Sequence, residues 1–186
     1  ALQVREAVYE PGGATIDGDR AVVPFTADLT LAGLGVWRYD DELRLVRADD
    51  EWRVDWSPAT LHPDMVEGER FARTRTAPTR AAIVDRNGLP LAPETAPLIV
   101  GTTGPATAEQ AAALGPFVEA GDTIGTQGLQ ARYNDVLSGE PSGQVQLLGP
   151  DNVPEVIHVF EGAPGDPLVT TIDPVIQAAA ENAISV

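Results

Sequence analysis

Histidines and clustered acidic residues are the first candidates for metal or proton chemistry. The chain has two histidines, His62 and His158, which lie far apart and have no companion ligands at a metal-binding spacing. Two acidic runs, at 40–42 and 49–51, lack the alternating ligands and the glycine of an EF-hand calcium loop. We therefore predict structural or surface histidines, acidic runs that form solvated turns, and no metal or cofactor.

Nucleophilic catalysis lacks its usual residues. Cysteine and lysine are absent, and all twelve basic residues are arginine. This excludes a thiolate, a Schiff base, a P-loop lysine and a Ser-x-x-Lys pair within the chain. Among 28 acidic residues no pair stands out as the acid and base of a glycosidase. We predict no catalytic residue, since none of the serines lies in a Gly-x-Ser-x-Gly motif: Ser57, Ser138, Ser142 and Ser185.

Two other clusters could bind a ligand. Trp52 and Trp56 could form a platform on one strand, although such a pair is more typical of a core. The arginines at 70, 73, 75 and 80 could hold an anionic partner, although in so acidic a protein they more often pair with its own carboxylates. The net charge of −16 opposes binding to nucleic acid or anionic membranes.

The elements that position these residues fall into two parts, which 186 residues allow. Residues 1–56 read as an antiparallel meander, because apolar and polar residues alternate over 21–31. A further strand is predicted over 36–47, with a bend or break at 40–42. One face of this sheet needs a cover, which we expect from upstream sequence or from a neighbouring segment.

The second part follows a proline- and arginine-rich connector at 57–80 and mixes short strands with helices. Asn87-Gly88 predicts a hairpin turn. Thr107 predicts a capping box for a helix to Leu114, and Asp173 followed by proline predicts another helix start. We also predict strands at 98–100, 144–148, 156–160 and 168–172, and a helix over 129–137.

Three segments of this second part resemble signature motifs of class B penicillin-binding proteins. Residues 80–92 resemble the motif that opens their non-catalytic dimerisation or pedestal region, with Ala81 in place of the usual glycine. Residues 128–139 are similar to a Gly-Leu-Glu-x-x-Tyr helix, and residues 170–181 to the segment that begins the transpeptidase domain. The residues at the motif positions are Arg80, Asp85, Arg86, Asn87, Gly88, Gly128, Leu129, Tyr133, Asp173 and Gln177.

The first part is similar to the NTF2-like domain that precedes this pedestal in a subset of the family. Residues 51–58 follow its closing Trp-x-Val-x-Trp-x-Pro pattern. The resemblance implies an α+β fold, in which an antiparallel, curved NTF2-like sheet is followed by a mixed α+β pedestal domain. The implied segments are an NTF2-like domain without its helices at 1–65, a linker at 66–80, the pedestal at 81–169 and the start of the transpeptidase domain at 170–186.

The family builds peptidoglycan as D,D-transpeptidases, the targets of β-lactams. The resemblance implies that this chain is a non-catalytic stalk and interaction scaffold, with the acylated serine and its lysine after residue 186. It implies an extracytoplasmic location in the cell envelope, anchored to the membrane outside this chain. The implied partners are its own downstream transpeptidase domain and cell-wall synthesis proteins. A stand-alone NTF2-like small-molecule binding module with an appended domain stays open as the alternative.

Overall fold

The computed structural model describes residues 1–91 and 94–184, and the chain divides into two compact units. The first combines 1–74 with 143–159, and the second combines 75–142 with the residues from 160 onward. The strands are β1 (Val4–Pro11), β2 (Thr15–Asp17), β3 (Arg20–Leu31), β4 (Gly35–Ala48), β5 (Glu51–Val54), β6 (Arg70–Thr76), β7 (Ile83–Val84), β8 (Thr103–Pro105), β9 (Thr123–Gly125), β10 (Ser142–Leu148), β11 (Pro154–Phe160) and β12 (Leu168–Val169). The helices are α1 (Pro97–Val100), α2 (Ala108–Leu114), α3 (Gly128–Arg132), α4 (Asn134–Ser138) and α5 (Pro174–Ile184), and a 3-10 turn spans Pro58–Thr60.

Five strands of the first unit form an antiparallel sheet in the order β1-β3-β4-β5, with β2 also paired to β3. The alternation predicted for β3 is confirmed, because Ala27, Leu29 and Leu31 are all buried. The register of the β3–β4 hairpin sets Leu29 opposite Trp37, which is 1% exposed. Alternate residues of a strand share one face, so this core lies against a single face of the sheet.

The two acidic runs have different outcomes. Strand β4 is continuous through 40–42, so the predicted bend or break and the predicted solvated turn there are wrong. The pairing of β4 with β3 runs through these residues without a register shift. The Thr26 hydroxyl donates a 2.6 Å hydrogen bond to Asp40 Oδ1 across this pair. Asp49 and Asp50 do form an exposed turn between β4 and β5, as predicted.

The apolar face of this sheet is buried over only part of its length. Trp52 is 40% exposed, Val54 46% and Trp56 64%. The prediction that this tryptophan pair belongs to the core is therefore wrong. At this end of the sheet the apolar face remains exposed to water, because no described residue fully covers these side chains. The prediction that this face needs a cover therefore still applies here.

A second sheet, with the order β11-β10-β6, lies largely in the first unit. Its central strand β10 buries Val145 and Leu147 completely. Strand β6 lies inside the segment 66–80 that was predicted to be a linker, and residues 143–159 group with the first unit rather than with the second. The partner of β6 is distant in the sequence, so local composition does not reveal the strand. The division into NTF2-like and pedestal domains stays a prediction.

The second unit has two small sheets, with β7 parallel to β12 and β8 antiparallel to β9. Two apolar clusters form its core. The members of the first are Ile83, Ala96, Val100 and Leu137, and those of the second are Ala106, Ala111, Val118 and Ile124. In residues 1–91 and 94–184, no helix has the length and hydrophobicity of a membrane span.

Two predicted helix starts are confirmed. At the start of α2 the Thr107 hydroxyl accepts a hydrogen bond from the Gln110 N–H, and the Gln110 side chain accepts one from the Thr107 N–H. At α5 the carboxylate of Asp173 accepts hydrogen bonds from the N–H groups of Val175 and Ile176. Both caps satisfy backbone donors that the first helical turn leaves unpaired.

Other element predictions have mixed outcomes. The strand predicted at 98–100 is wrong, because Pro97 occupies the first position of the one-turn helix α1. The helix predicted over 129–137 is two helices, α3 and α4. The strands predicted at 144–148 and 156–160 are confirmed as β10 and β11, and the one predicted over 168–172 is the shorter β12.

Candidate functional site

Arg80 joins the first and second motifs of the second unit. Its guanidinium donates hydrogen bonds to Gln130 Oε1 (2.9 Å), Asn134 Oδ1 (2.9 Å) and Ser138 Oγ (3.0 Å), and a fourth to the Gln130 carbonyl (3.0 Å). Asn134 is buried, and its Oδ1 also accepts the N–H of Gly125. Burial lowers the pKa of Arg80. Neutral oxygens therefore hold this charge, and we call these residues the Arg80 network.

The predicted pairing of arginines with carboxylates is confirmed for Arg75. Its two terminal nitrogens bond to the two oxygens of Asp122, at 2.9 and 2.5 Å, and Glu119 lies 3.8 Å away. Such a two-pronged ion pair is among the strong side-chain contacts. Arg70 instead donates to the amide oxygen of Asn152, at 2.8 Å.

Asp85 closes the hairpin turn predicted at Asn87-Gly88. Its Oδ1 accepts the N–H groups of Leu89 (2.9 Å) and Asn87 (2.8 Å). These bonds, first of all the one from Leu89, hold the pKa of the Asp85 carboxyl below its usual range. Gly88 has a φ of +82°, which glycine adopts readily. The predicted turn is thus confirmed, while Ala92 at the end of the first motif lies outside the described residues.

The same turn contacts the start of helix α5, so the first and third motifs meet. The Arg86 N–H donates to the Ile172 carbonyl at 3.1 Å, and the Arg86 guanidinium lies 3.5 Å from Asp173 Oδ2. Within the helix, Gln177 donates a 2.8 Å hydrogen bond to Glu181. These contacts fix where α5 begins relative to the hairpin.

Three residues of the second motif shape its helices. Gly128 has a φ of +59°, and a Cβ there would lie 2.5 Å from the Ile99 carbonyl oxygen. Leu129 packs against the first apolar cluster. Tyr133, with φ −115° and ψ 33°, separates α3 from α4. Together they position the carbonyl and side chains that Arg80 binds.

These contacts of the motif residues connect separate segments of the second unit, which is a structural role. The polar groups of Arg80, Asp85 and Asp173 are engaged in the Arg80 network, a turn and a helix cap, respectively. In the part of the chain that the structure describes, no group of three or more acidic or histidine side chains is arranged to hold a metal ion.

A cavity of about 760 Å³ lies in the first unit, and sequence reasoning missed it. This volume is within the range of small-molecule sites. No local motif could reveal the cavity, because its residues come from β1 and the residue after it, from β3 and β4, and from the segment after β5. They are Glu10, Pro11, Gly12, Pro24, Phe25, Thr26, Asp40, Asp41, Glu42, Arg44, Ser57, Ala59, Thr60 and Pro63.

Asp41 stands out among the residues that line this cavity. Its Oδ1 accepts the N–H of Glu42 at 2.7 Å, whereas its Oδ2 is buried and has no hydrogen-bond partner among the described residues. Desolvation raises the pKa of this carboxyl. A buried acceptor without a donor costs free energy, more so when it is charged.

We expect Asp41→Asn to raise the free energy of unfolding by about 1 kcal/mol at neutral pH. The pKa of Asp41 is higher in the folded chain than in the unfolded chain, so between these two values the folded wild type binds more protons. The free energy of unfolding of the wild type therefore falls as the pH rises through the folded pKa. Urea unfolding at several pH values would show a gain that disappears in acid. Asp40→Asn is the matched control, and an equal gain there would contradict the explanation.

Beside Asp41, His62 and Tyr39 belong to an aromatic cluster around Trp37. His62 is 4% exposed and its ring stacks on Trp37 at 5.3 Å, which confirms its predicted structural role. Burial lowers the pKa of His62. The Tyr39 hydroxyl donates to the Leu61 carbonyl at 2.9 Å, and burial raises its pKa to about 12. This cluster holds the segment after β5 on the sheet.

Comparison with known families supports the sequence resemblance in the first unit. Residues 7–69 match the model of the NTF2-like N-terminal transpeptidase domain. This match supports the interpretation of the stretch as part of the N-terminal region of a penicillin-binding protein. The curled antiparallel sheet of the first unit is consistent with an NTF2-like domain, and with the helices of the second unit the chain has an α+β fold, as predicted. The matched domain is non-catalytic and fits association with the cell envelope. No curated protein matches the chain.

Proposed function

We propose that the chain is the non-catalytic N-terminal region of a class B penicillin-binding protein, and that it acts as a stalk and interaction scaffold for a downstream D,D-transpeptidase domain. It would work outside the cytoplasm, in the cell envelope, with a membrane anchor outside this chain. Its further partners would be cell-wall synthesis proteins. The observation that carries the proposal is the match of residues 7–69 to a transpeptidase-associated domain.

The second unit supports this proposal independently. Arg80 and Arg86 belong to the first resembling motif and Gly128 to the second, and Arg86 lies 3.5 Å from Asp173 of the third. Each of the three lies where two segments of the unit meet. A unit in which charged motif residues such as Arg80 and Arg86 bind other segments of the same unit suits a mechanical support rather than a reaction centre. No nucleic acid partner is proposed, because the charge of −16 opposes it.

We expect no covalent adduct when the purified chain is incubated with a fluorescent penicillin and separated on a denaturing gel. The physical reason is that the chain has no lysine to activate a serine nucleophile. A known penicillin-binding protein, labelled in parallel, controls for the reagent. A fluorescent band from this chain that unlabelled penicillin competes away would overturn the non-catalytic assignment.

The alternative is a stand-alone small-molecule binding module, and the cavity beside Asp41 is the observation that favours it. Sequencing the coding region beyond codon 186 separates the two. A downstream Ser-x-x-Lys motif supports the scaffold. A stop codon close to that point supports the binding module and contradicts the scaffold.

A further inference from the structure

The turn after the 3-10 helix depends on the neutral form of His62. Its Nδ1 accepts the backbone N–H of Asp64 at 3.3 Å, which places the proton of the neutral ring on Nε2. Protonation would put a second N–H on Nδ1, which could then no longer accept that bond. The Met65 N–H donates to the His62 carbonyl at 2.9 Å, so both the ring and the carbonyl of His62 accept hydrogen bonds from this turn.

The protonated ring has an alternative partner in the same turn. Asp64 Oδ2 lies 3.8 Å from His62 Nδ1, and the Asp64 side chain is 64% exposed. A short ion pair between these atoms requires the ring or the turn to move, because the Asp64 N–H now occupies the near side of Nδ1. The observed arrangement suits the neutral ring, and a protonated His62 would require a second arrangement of the turn.

The groups around His62 set the direction of the change. Asp64 on its own turn and Asp41 on β4 both favour a proton on the ring, whereas burial opposes it and prevails. Tyr39, also on β4, keeps its hydroxyl proton. His158 on β11 lies on Trp37 at a ring distance of 6.3 Å and is likewise held neutral by burial. A proton on His62 thus favours a more open turn.

This turn also borders the cavity of the first unit. Thr60 and Pro63 line the cavity on either side of the residues that contact β4. The Leu61 carbonyl between them accepts the Tyr39 hydroxyl. Movement of the turn would therefore displace one wall of the cavity.

We propose that His62 and Asp64 form an acid-sensitive latch that holds residues 57–65 against β4 and keeps this cavity wall in place. In the closed form His62 is neutral and accepts the Asp64 N–H. In the open form His62 is protonated, pairs with the Asp64 carboxylate and leaves its stack on Trp37. The latch goes beyond the proposed scaffold function and does not depend on it.

Amide hydrogen exchange of the intact chain tests the latch. Protection of the Asp64 and Met65 amides, corrected for intrinsic exchange, should fall about tenfold between about pH 7 and pH 5, as expected when an open form takes up one proton. Helix α2 in the second unit is the internal reference and should change little. His62→Gln, whose amide can still accept the Asp64 N–H but cannot titrate, should remove the pH response, whereas His158→Gln should retain it.

Three outcomes would overturn the latch: unchanged protection in the wild type, a pH response that survives His62→Gln, or a response that His158→Gln abolishes.

The wild type provides a second test that needs no variant, because only two imidazole resonances must be assigned. The His62 resonance and the Asp64 amide resonance should titrate with one midpoint. An Asp64 amide that stays constant while His62 titrates contradicts the coupling.

Discussion

Arg80→Ala is expected to lower the free energy of unfolding by about 3 kcal/mol, since it removes four hydrogen bonds that a charged group donates to half-buried and buried oxygens. The Arg80 guanidinium supplies four hydrogen bonds, including one to the buried Asn134. Water cannot easily replace it there, because Asn134 is 6% exposed. Urea unfolding followed by far-ultraviolet circular dichroism measures the loss.

Two matched variants locate the cause of this effect. Arg80→Lys keeps the charge but cannot reproduce a planar set of four bonds, so we expect a smaller but substantial loss. Arg132→Ala removes the same side chain from an exposed position next to Tyr133 and should change stability by about 0.5 kcal/mol or less. If Arg80→Ala costs no more than Arg132→Ala, the Arg80 network does not stabilise the second unit.

Gly128→Ala is expected to be still more damaging, with a loss of about 4 kcal/mol or failure to fold. A side chain at this position meets two obstacles. The backbone has a φ of +59°, and the new Cβ would lie 2.5 Å from the Ile99 carbonyl oxygen, closer than real contacts allow. Backbone rather than a flexible side chain blocks the space, so helix α1 or α3 must shift. Circular dichroism and soluble yield report the result.

Gly88→Ala separates the two obstacles at Gly128. Gly88 also has a positive φ, +82°, but a Cβ there meets no atom of residues 1–91 and 94–184 within 4 Å. We therefore expect only the conformational cost, about 1 kcal/mol. Equal losses for the two variants would show that the close approach to Ile99 does not matter and that the backbone angle explains both.

Several local features could be predicted because their cause lies within a few residues. Asn87-Gly88 forms its turn because both residues suit it and Asp85 accepts the nearby N–H groups. Thr107 caps α2 through Gln110, three residues away. The alternation in β3 predicted which side chains enter the core. In each case the chemistry acts over one turn or along one strand.

Other features could not be predicted because their partners are remote in the sequence. Strand β6 exists through its pairing with β10, and its own residues show no period. The wrong placement of Trp52 in the core has a related reason: period two identifies a shared face, but only a packed neighbour determines whether that face is buried.

By itself, the sequence determined that this chain has no cysteine or lysine nucleophile, how several of its turns and helix caps form, and which of its segments resemble motifs of class B penicillin-binding proteins. Only the tertiary structure decided that Arg80 is held by neutral oxygens and that His62 is buried against Trp37. It also decided that one buried oxygen of Asp41 has no hydrogen-bond partner in the described part of the chain. The physical reason is that charge and protonation depend on burial and on the donors within a few ångströms, which several distant segments supply together.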